Sequence, residues 1–300
     1  MNDRLPVRPN TFAENAVMAT PTLPFPIRSA TDPVDPELEV LMREPLASAW
    51  SGGRSPPSVS PAVRRRLLER AAASREASRP MVTMRLDAAL RREPAPGVCE
   101  RLLYEAPRDR CLRPGEPWRS RILELASGVA WRLEAAPVHR AWLVLQGIAR
   151  IGTQSLSIRD YHLVPAGAEG DVAVASDHGA RLFLREWLPA PADGLTSVTV
   201  RDAQAEWPEY APGIRRRVLW SRDGVAAMLY NARAGVMVPH HTHGHDEECL
   251  MVQGELFLDD QLLREGDYQL APAGTGHRVT ETDTGAVIYA HGDLDLRFVD

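Results

Sequence analysis

The chain has 300 residues, 44% of them hydrophobic, and a formal net charge of −5, which allows two or three domains with sizeable cores. The acidic balance argues against a general nucleic-acid or membrane surface, which a basic excess usually marks. No apolar run approaches bilayer-spanning length, and with no signal-peptide pattern at the start the expected location is cytoplasmic.

Residues 1–35 are rich in Pro, Thr and Asn with little periodicity and read as a disordered leader. Residues 36–80 read as a helical arm. Its first helix, from about Pro36 to Ser51, places Leu38, Leu41, Met42, Leu46 and Trp50 near one face; Ser51-Gly52-Gly53 stops it and Pro56-Pro57 forms a linker. The second helix starts with Ser60 as N-cap and Pro61 at the first helical position. Val63, Leu67, Leu68 and Ala71 form an apolar stripe expected to pack against the same protein, and Arg64, Arg65, Arg66 and Arg70 lie mainly around the other faces.

Past residue 95 the sequence changes to short β-like runs punctuated by Gly and Pro, the pattern of an all-β sandwich or barrel. It also repeats itself. Ala95-Pro96-Gly97-Val98 recurs as Ala211-Pro212-Gly213-Ile214, and Leu145-Gln146-Gly147 as Val252-Gln253-Gly254. Gly128 and Pro165-Ala166-Gly167 keep the same distances from Gly147 that Gly235 and Pro272-Ala273-Gly274 keep from Gly254. The expected organisation is mainly β, with two tandem barrels, 95–190 and 205–300, offset by 107 residues through this region.

The second repeat carries the most specific chemistry. Gly235 is followed after five residues by His241-Thr242-His243, then after three by Glu247 and after six by Gly254; Gly266 is followed after five by Pro272-Ala273-Gly274, two residues and His277. Side chains alternate along a strand, so His241, His243 and Glu247 can share one face if Gly244-His245-Asp246 forms a short kink, with His277 arriving from a neighbouring strand. Imidazole and carboxylate together suit zinc, iron, manganese or nickel. His240 and His245 lie beside this pattern without a slot in it. Glu248 alternates away from Glu247, which gives it a solvated or outer role, and Cys249 shares the Glu247 face as a small core residue.

These spacings match both motifs of the cupin superfamily, G(X)5HXH(X)3E(X)6G and G(X)5PXG(X)2H. The resemblance implies tandem cupin barrels and a divalent metal ion, zinc foremost, held by His241, His243, Glu247 and His277. One departure is Glu281, where the family's second motif usually closes with Asn. In the first repeat the corresponding slots hold Glu134, Ala136, Arg140 and Gly170, so that barrel is expected to be metal-free, with His139 and His162 as ordinary polar residues. Among cupins the sequence resembles the carboxyl-terminal domain of ChrR-type anti-sigma factors, through Gly235-Val236-Met237-Val238-Pro239, the run Glu247 to Glu255 and Leu263-Arg264-Glu265-Gly266-Asp267-Tyr268. The amino-terminal zinc motif of that group, HxxxCxxC, is missing: no histidine or cysteine precedes Cys99.

The absence of lysine, all 35 basic residues being arginine, excludes a Schiff-base, pyridoxal-phosphate or P-loop lysine. Cys99, Cys111 and Cys249 include no CxxC pair and point to neither a disulfide framework nor a cysteine zinc site. The first functional expectation is a regulator that senses a small molecule or oxidant at the metal and grips a sigma factor through its helical arm, with no direct nucleic-acid contact. The second is a metal-dependent dioxygenase or lyase acting on a small oxygenated substrate, with Glu255, Tyr268 and Glu281 as pocket candidates. The third is a structural bicupin stabilised by its ion. A homodimer is what the cupin resemblance implies.

Overall fold

The computed structural model describes residues 60–107, 112, 115–133, 136–168, 173–190 and 194–299. The expected leader and first helix, together with Cys111, Glu134 and Gly170, lie outside the described residues. The second helix spans Pro61–Ser78 with Pro at its first turn. Ser60 caps it through its backbone carbonyl, which accepts from Arg64 N at 2.9 Å, while its hydroxyl makes no capping bond. The stripe expected to be packed is only partly so: Leu67 and Leu68 are 46% and 61% exposed. Arg70 Nε donates to Asp260 at 3.1 Å across 190 residues of sequence. Among the described residues no helix is long and apolar enough to cross a membrane.

Among the described residues every regular element after the helix is a β-strand, as the turn-rich text requires. Two ten-stranded sheets have the same order, element for element. One runs Val198–Val200, Tyr161–Val164, His139–Ile151, Ala180–Trp187, Pro117–Leu125, Val98–Glu105 and Leu90–Ala95; the other runs Val82–Met84, Tyr268–Ala271, Glu247–Leu258, Ala286–Asp293, Val225–Ala232, Ile214–Arg222 and Glu209–Ala211. The long strands His139–Ile151 and Glu247–Leu258 bend at Gly147 and Gly254 and continue into a second layer, closing each sheet into a barrel. Both glycines have positive φ, 75° and 80°, and a Cβ would stand 2.3 Å and 2.2 Å from the carbonyl oxygens of Gly179 and Gly285. Only glycine fits such a bend.

The two barrels exchange their first strands. Val82–Met84, upstream of the first barrel, pairs with Tyr268–Leu270 of the second. Val198–Val200, upstream of the second, pairs with Tyr161–Leu163 of the first. Between the barrels the central sheets stack face to face, so their strands are covered on both sides and read as near-continuous apolar runs. Along Ala180–Trp187, Leu182 and Leu184 enter the first barrel's interior, whereas Phe183 and Trp187 enter the shared core. Phe183 meets Tyr289 of the second barrel at 5.2 Å between ring centroids.

Candidate metal centre

The proposed ligands are brought to the mouth of the second barrel by two short strands, the start of a long one and the turn before it. His241 and His277 are direct partners across the strands His241–Thr242 and Gly276–His277. The close approach requires Gly276, where a Cβ would stand 2.2 Å from the His241 carbonyl oxygen. Glu247 opens the strand Glu247–Leu258, and the turn Gly244–Asp246 separates it from His243. His243 N and O bond Thr275 and Gly274 at 2.8 and 2.7 Å, tying that turn to the Pro272–Gly274 corner. One ligand atom from each of His241, His243 and Glu247 falls within 4.8 Å of the other two. The His277 ring stands 5.2 Å from that of His243 and 5.7 Å from that of His241.

One hydrogen bond, to His241, and one carboxylate contact, to His277, orient two of these rings. His241 Nδ1 lies 3.0 Å from the Pro239 carbonyl; as a donor there, it leaves Nε2 as the lone-pair nitrogen, the arrangement common to metal-bound histidines. His277 Nδ1 lies 3.6 Å from Asp259 Oδ2, and Asp259 is itself held by the amides of Arg278 and Val279 at 2.8 and 3.2 Å. Both ring nitrogens of His243 are buried without a hydrogen-bond partner, although its Nδ1 is 3.5 Å from Glu247 Oε2. Buried polar atoms are rarely left so, and an ion at the centre of the group would take the lone pair of one of the two.

Protonation fits the same use. Burial pushes His241 down to about 4, so it is a neutral imidazole at neutral pH. Burial opposes ionisation of Glu247, but the surrounding imidazoles, His243 first, hold it down at about 2. His243 is itself raised, because the Glu247 carboxylate outweighs its burial. A permanently ionised carboxylate among imidazoles is a site for a cation. The group opens onto a cavity of about 90 Å³ inside the barrel, whose apolar walls include Tyr230, Val236, Leu258 and Phe298. Cys249 lines it as well, its thiol raised by burial.

Residues 195–295 match the family described as the ChrR cupin-like domain. The chain is also 25% identical over 92 residues to the pectin degradation protein KdgF of Dickeya dadantii, covering 29% of this chain and 84% of that protein. The same double-barrel arrangement occurs in a Nostoc punctiforme protein provisionally named a dioxygenase (TM-score 0.56, 14% identity, 73% of this chain and 84% of that one). It occurs again in the oxalate decarboxylase of Lactobacillus farciminis (TM-score 0.52, 12% identity, 72% and 87%). A third neighbour is the Bacillus subtilis oxalate decarboxylase, studied for its Mn(II) centers (TM-score 0.53, 14% identity, 71% and 77%).

The fold is that of a tandem cupin. Within the double barrel, the first barrel fills the equivalent mouth differently. Arg140, in the slot of Glu247, donates to Glu186 at 2.9 Å, and Arg121 and Arg119 bond the same carboxylate at 2.9 and 3.0 Å. Arg121 also bonds Glu100 at 2.7 Å.

Other sequence candidates land elsewhere. Glu248 is not solvated: it is 1% exposed at the barrel–barrel interface, accepting from Ser120 at 2.5 Å, Tyr268 at 2.8 Å and Arg185. Tyr268 therefore belongs to the interface and not to the pocket. Glu255 pairs with Arg264 at 3.1 Å, partly exposed, and Glu281 sits on an outer-layer strand. His245 Nδ1 lies 2.6 Å from Asp293 Oδ1, and His240 offers its carbonyl to Val299. His139 accepts from Ala166 N at 2.9 Å and His162 meets Thr199 Oγ1 at 2.9 Å. Asp259 and the Arg185–Glu248 pair were not legible as site-forming residues. Asp259 leaves one local trace, a left-handed φ of 55° at a turn, which marks a hairpin and not a role.

Proposed function

We propose that the second barrel binds one divalent metal ion through His241, His243, Glu247 and His277, and that a small oxygenated molecule is turned over beside it. Zinc is the first expectation, with iron, manganese and nickel as alternatives. The observation that carries this reading is the convergence of orphaned buried imidazole nitrogens and an ionised carboxylate at the mouth of an apolar cavity. A bound ion would supply Lewis acidity toward an oxygen of the substrate.

The chain's own residues do the rest. Tyr230, Val236, Leu258 and Phe298 enclose the carbon skeleton and exclude water, while Tyr210, Tyr230, Thr280 and Thr282 carry the hydroxyls in the lining. Among the described residues no arginine lines the cavity, which favours a neutral or singly charged substrate over a dianion. Asp259 holds His277 in place. Metal analysis after growth in supplemented medium is the test, paired with oxygen uptake or consumption of a small diketone. Wild-type protein is expected to retain about one ion per chain, and His241→Ala and His277→Ala to lose both ion and turnover while remaining folded; metal content unchanged in both variants sinks the assignment.

A second reading, regulation of transcription, is favoured by the match to the ChrR cupin-like domain and by the helix Pro61–Ser78. Leu67 and Leu68 stand exposed on it beside an arginine-rich run, and leucines presented to solvent on a helix can dock into a partner's groove. The partner would be a sigma factor, gripped without the HxxxCxxC zinc motif, with a small molecule or oxidant at the metal as the signal. A homodimer in the cytoplasm accompanies this reading. Pull-down from the native host should recover a sigma factor with the full chain and none after deletion of residues 1–80; equal recovery from both defeats it.

A further inference from the structure

The turn between the strands Glu247–Leu258 and Gln261–Arg264 consists of two aspartates that serve different partners. Asp259 is buried, with its Oδ2 3.6 Å from Nδ1 of His277. Asp260 is exposed, and Arg70 of the helix Pro61–Ser78 reaches it with Nε at 3.1 Å and Nη2 at 3.0 Å. Arg278 spans the two aspartates: its Nε is 3.5 Å from Asp259 Oδ1 and its Nη2 is 3.6 Å from Asp260 Oδ2. A continuous series of charged contacts therefore runs from the helix to a proposed metal ligand.

The segment that follows the helix grips the same hairpin. Thr83 Oγ1 donates to Gln261 Oε1 and accepts from Gln269 Nε2, both at 3.0 Å. Arg85 donates to the Leu262 carbonyl and, at 2.8 Å, to Asp267. Helix and strand are thereby fastened to the second barrel, although the chain goes on to build the first.

Exposed ion pairs are individually weak, so what matters is where this series ends. A carboxylate behind a metal-bound imidazole fixes the ring, and its removal typically costs about ten- to hundredfold in metal affinity. Asp259 Oδ1 is taken by the amides of Arg278 and Val279 and faces the Arg278 guanidinium, which leaves Oδ2 for His277. The buried Nδ1 of His277 has no hydrogen-bond partner, so its orientation depends on that oxygen. Arg278 keeps Asp259 in this attitude while its own guanidinium is held, and Asp260, steadied by Arg70, holds it.

We propose that docking of the helix Pro61–Ser78 on the second barrel raises the metal affinity of the site, with Arg70, Asp260, Arg278 and Asp259 as positioning residues acting on His277. The inference rests on the metal-binding reading above and is independent of any partner of the helix. Because coupling between sites is reciprocal, a bound ion also holds the helix to the barrel.

The test is a zinc titration of the full chain against a chromophoric chelator, joined to hydrogen exchange of the helix amides with and without zinc. Arg70→Gln, at an exposed position, removes a cation, and long-range electrostatics alone would make zinc bind more tightly. The expected result has the opposite sign: roughly three- to fivefold weaker binding, with Arg70→Lys close to wild type. Arg278→Gln and Asp259→Asn should weaken zinc by about tenfold or more. Zinc should slow exchange over residues 61–78 in the wild type and leave it unchanged in Arg70→Gln. Zinc affinity that is equal or higher in Arg70→Gln overturns the proposal, and so does helix exchange indifferent to zinc in a wild type that binds it. A wild type that binds no zinc overturns the metal reading and this inference together.

Discussion

The two barrels are built on one strand order and bend at equivalent glycines, yet they handle charge at their mouths in opposite ways. In the first, Glu186 is wholly buried and accepts from Arg119, Arg121 and Arg140. In the second, the rung of Arg140 is occupied by Glu247, and the neighbouring strand supplies Gly292, where a Cβ would stand 3.0 Å from the Glu247 side chain. Guanidinium is a permanent cation. Imidazole is not, and His241 in particular stays neutral down to about pH 4. The first mouth neutralises its carboxylates internally, whereas the second surrounds an ionised carboxylate with bases that have lone pairs to give. The mouths differ at all four ligand slots, and on the neighbouring strand Glu186 stands where the second barrel has Gly292; together these differences separate a closed ionic plug from a cation site.

The largest expected effect comes from breaking the plug. Glu186→Gln leaves the buried guanidiniums of Arg121 and Arg140 and the partly buried one of Arg119 facing a neutral amide, and should cost about 3–5 kcal/mol in urea unfolding without altering metal content. Glu247→Gln should do the reverse, abolishing metal retention at a smaller cost to the metal-free chain. Comparable destabilisation by the two variants would mean that the mouths are not distinguished in this way. A smaller effect tests the shared scaffold. Gly147→Ala and Gly254→Ala each force a side chain into positive φ against a carbonyl oxygen at 2.3 and 2.2 Å, and each should cost about 1–3 kcal/mol. A silent Gly147→Ala beside a damaging Gly254→Ala would show that the repeats do not bend alike.

What the sequence made legible is what is local. Turn glycines announce themselves by their spacing, and strand alternation is enough to turn His241 and Glu247 toward one interior. Alternation also points Glu248 away from that interior, but not to what lies on the other side. Its partners Ser120 and Arg185 are 128 and 63 residues distant, and only the stacking of the two barrels converts an apparently solvated carboxylate into a buried ion pair. The exchanged strands Val82–Met84 and Val198–Val200 are three residues long, too short for any period to show, and their partners belong to the opposite barrel. Val63, Leu67 and Ala71 have helical spacing, which says that they share a side but not that a neighbour covers it.

The smallest effect is the pH dependence of the metal-free chain, and its sign separates the residues of the second mouth. His241 has a folded value of about 4 against 6.5, so its contribution to stability is full above pH 6.5 and is lost as pH falls from 6.5 to 4. Glu247, about 2 against 4.5, contributes above pH 4.5 and loses that contribution between 4.5 and 2. His243 is raised and acts oppositely: its contribution is present below 6.5 and is lost as pH rises through its folded value. Between pH 7 and 5, therefore, His241 lowers stability by about 2 kcal/mol while His243 offsets part of the loss. Urea midpoints should show a shallow fall for the wild type, a shallower or reversed one for His241→Phe and a steeper one for His243→Gln. Identical slopes in all three proteins would mean that the mouth is solvated in solution, and the contrast with the arginine-filled barrel would lose its physical basis.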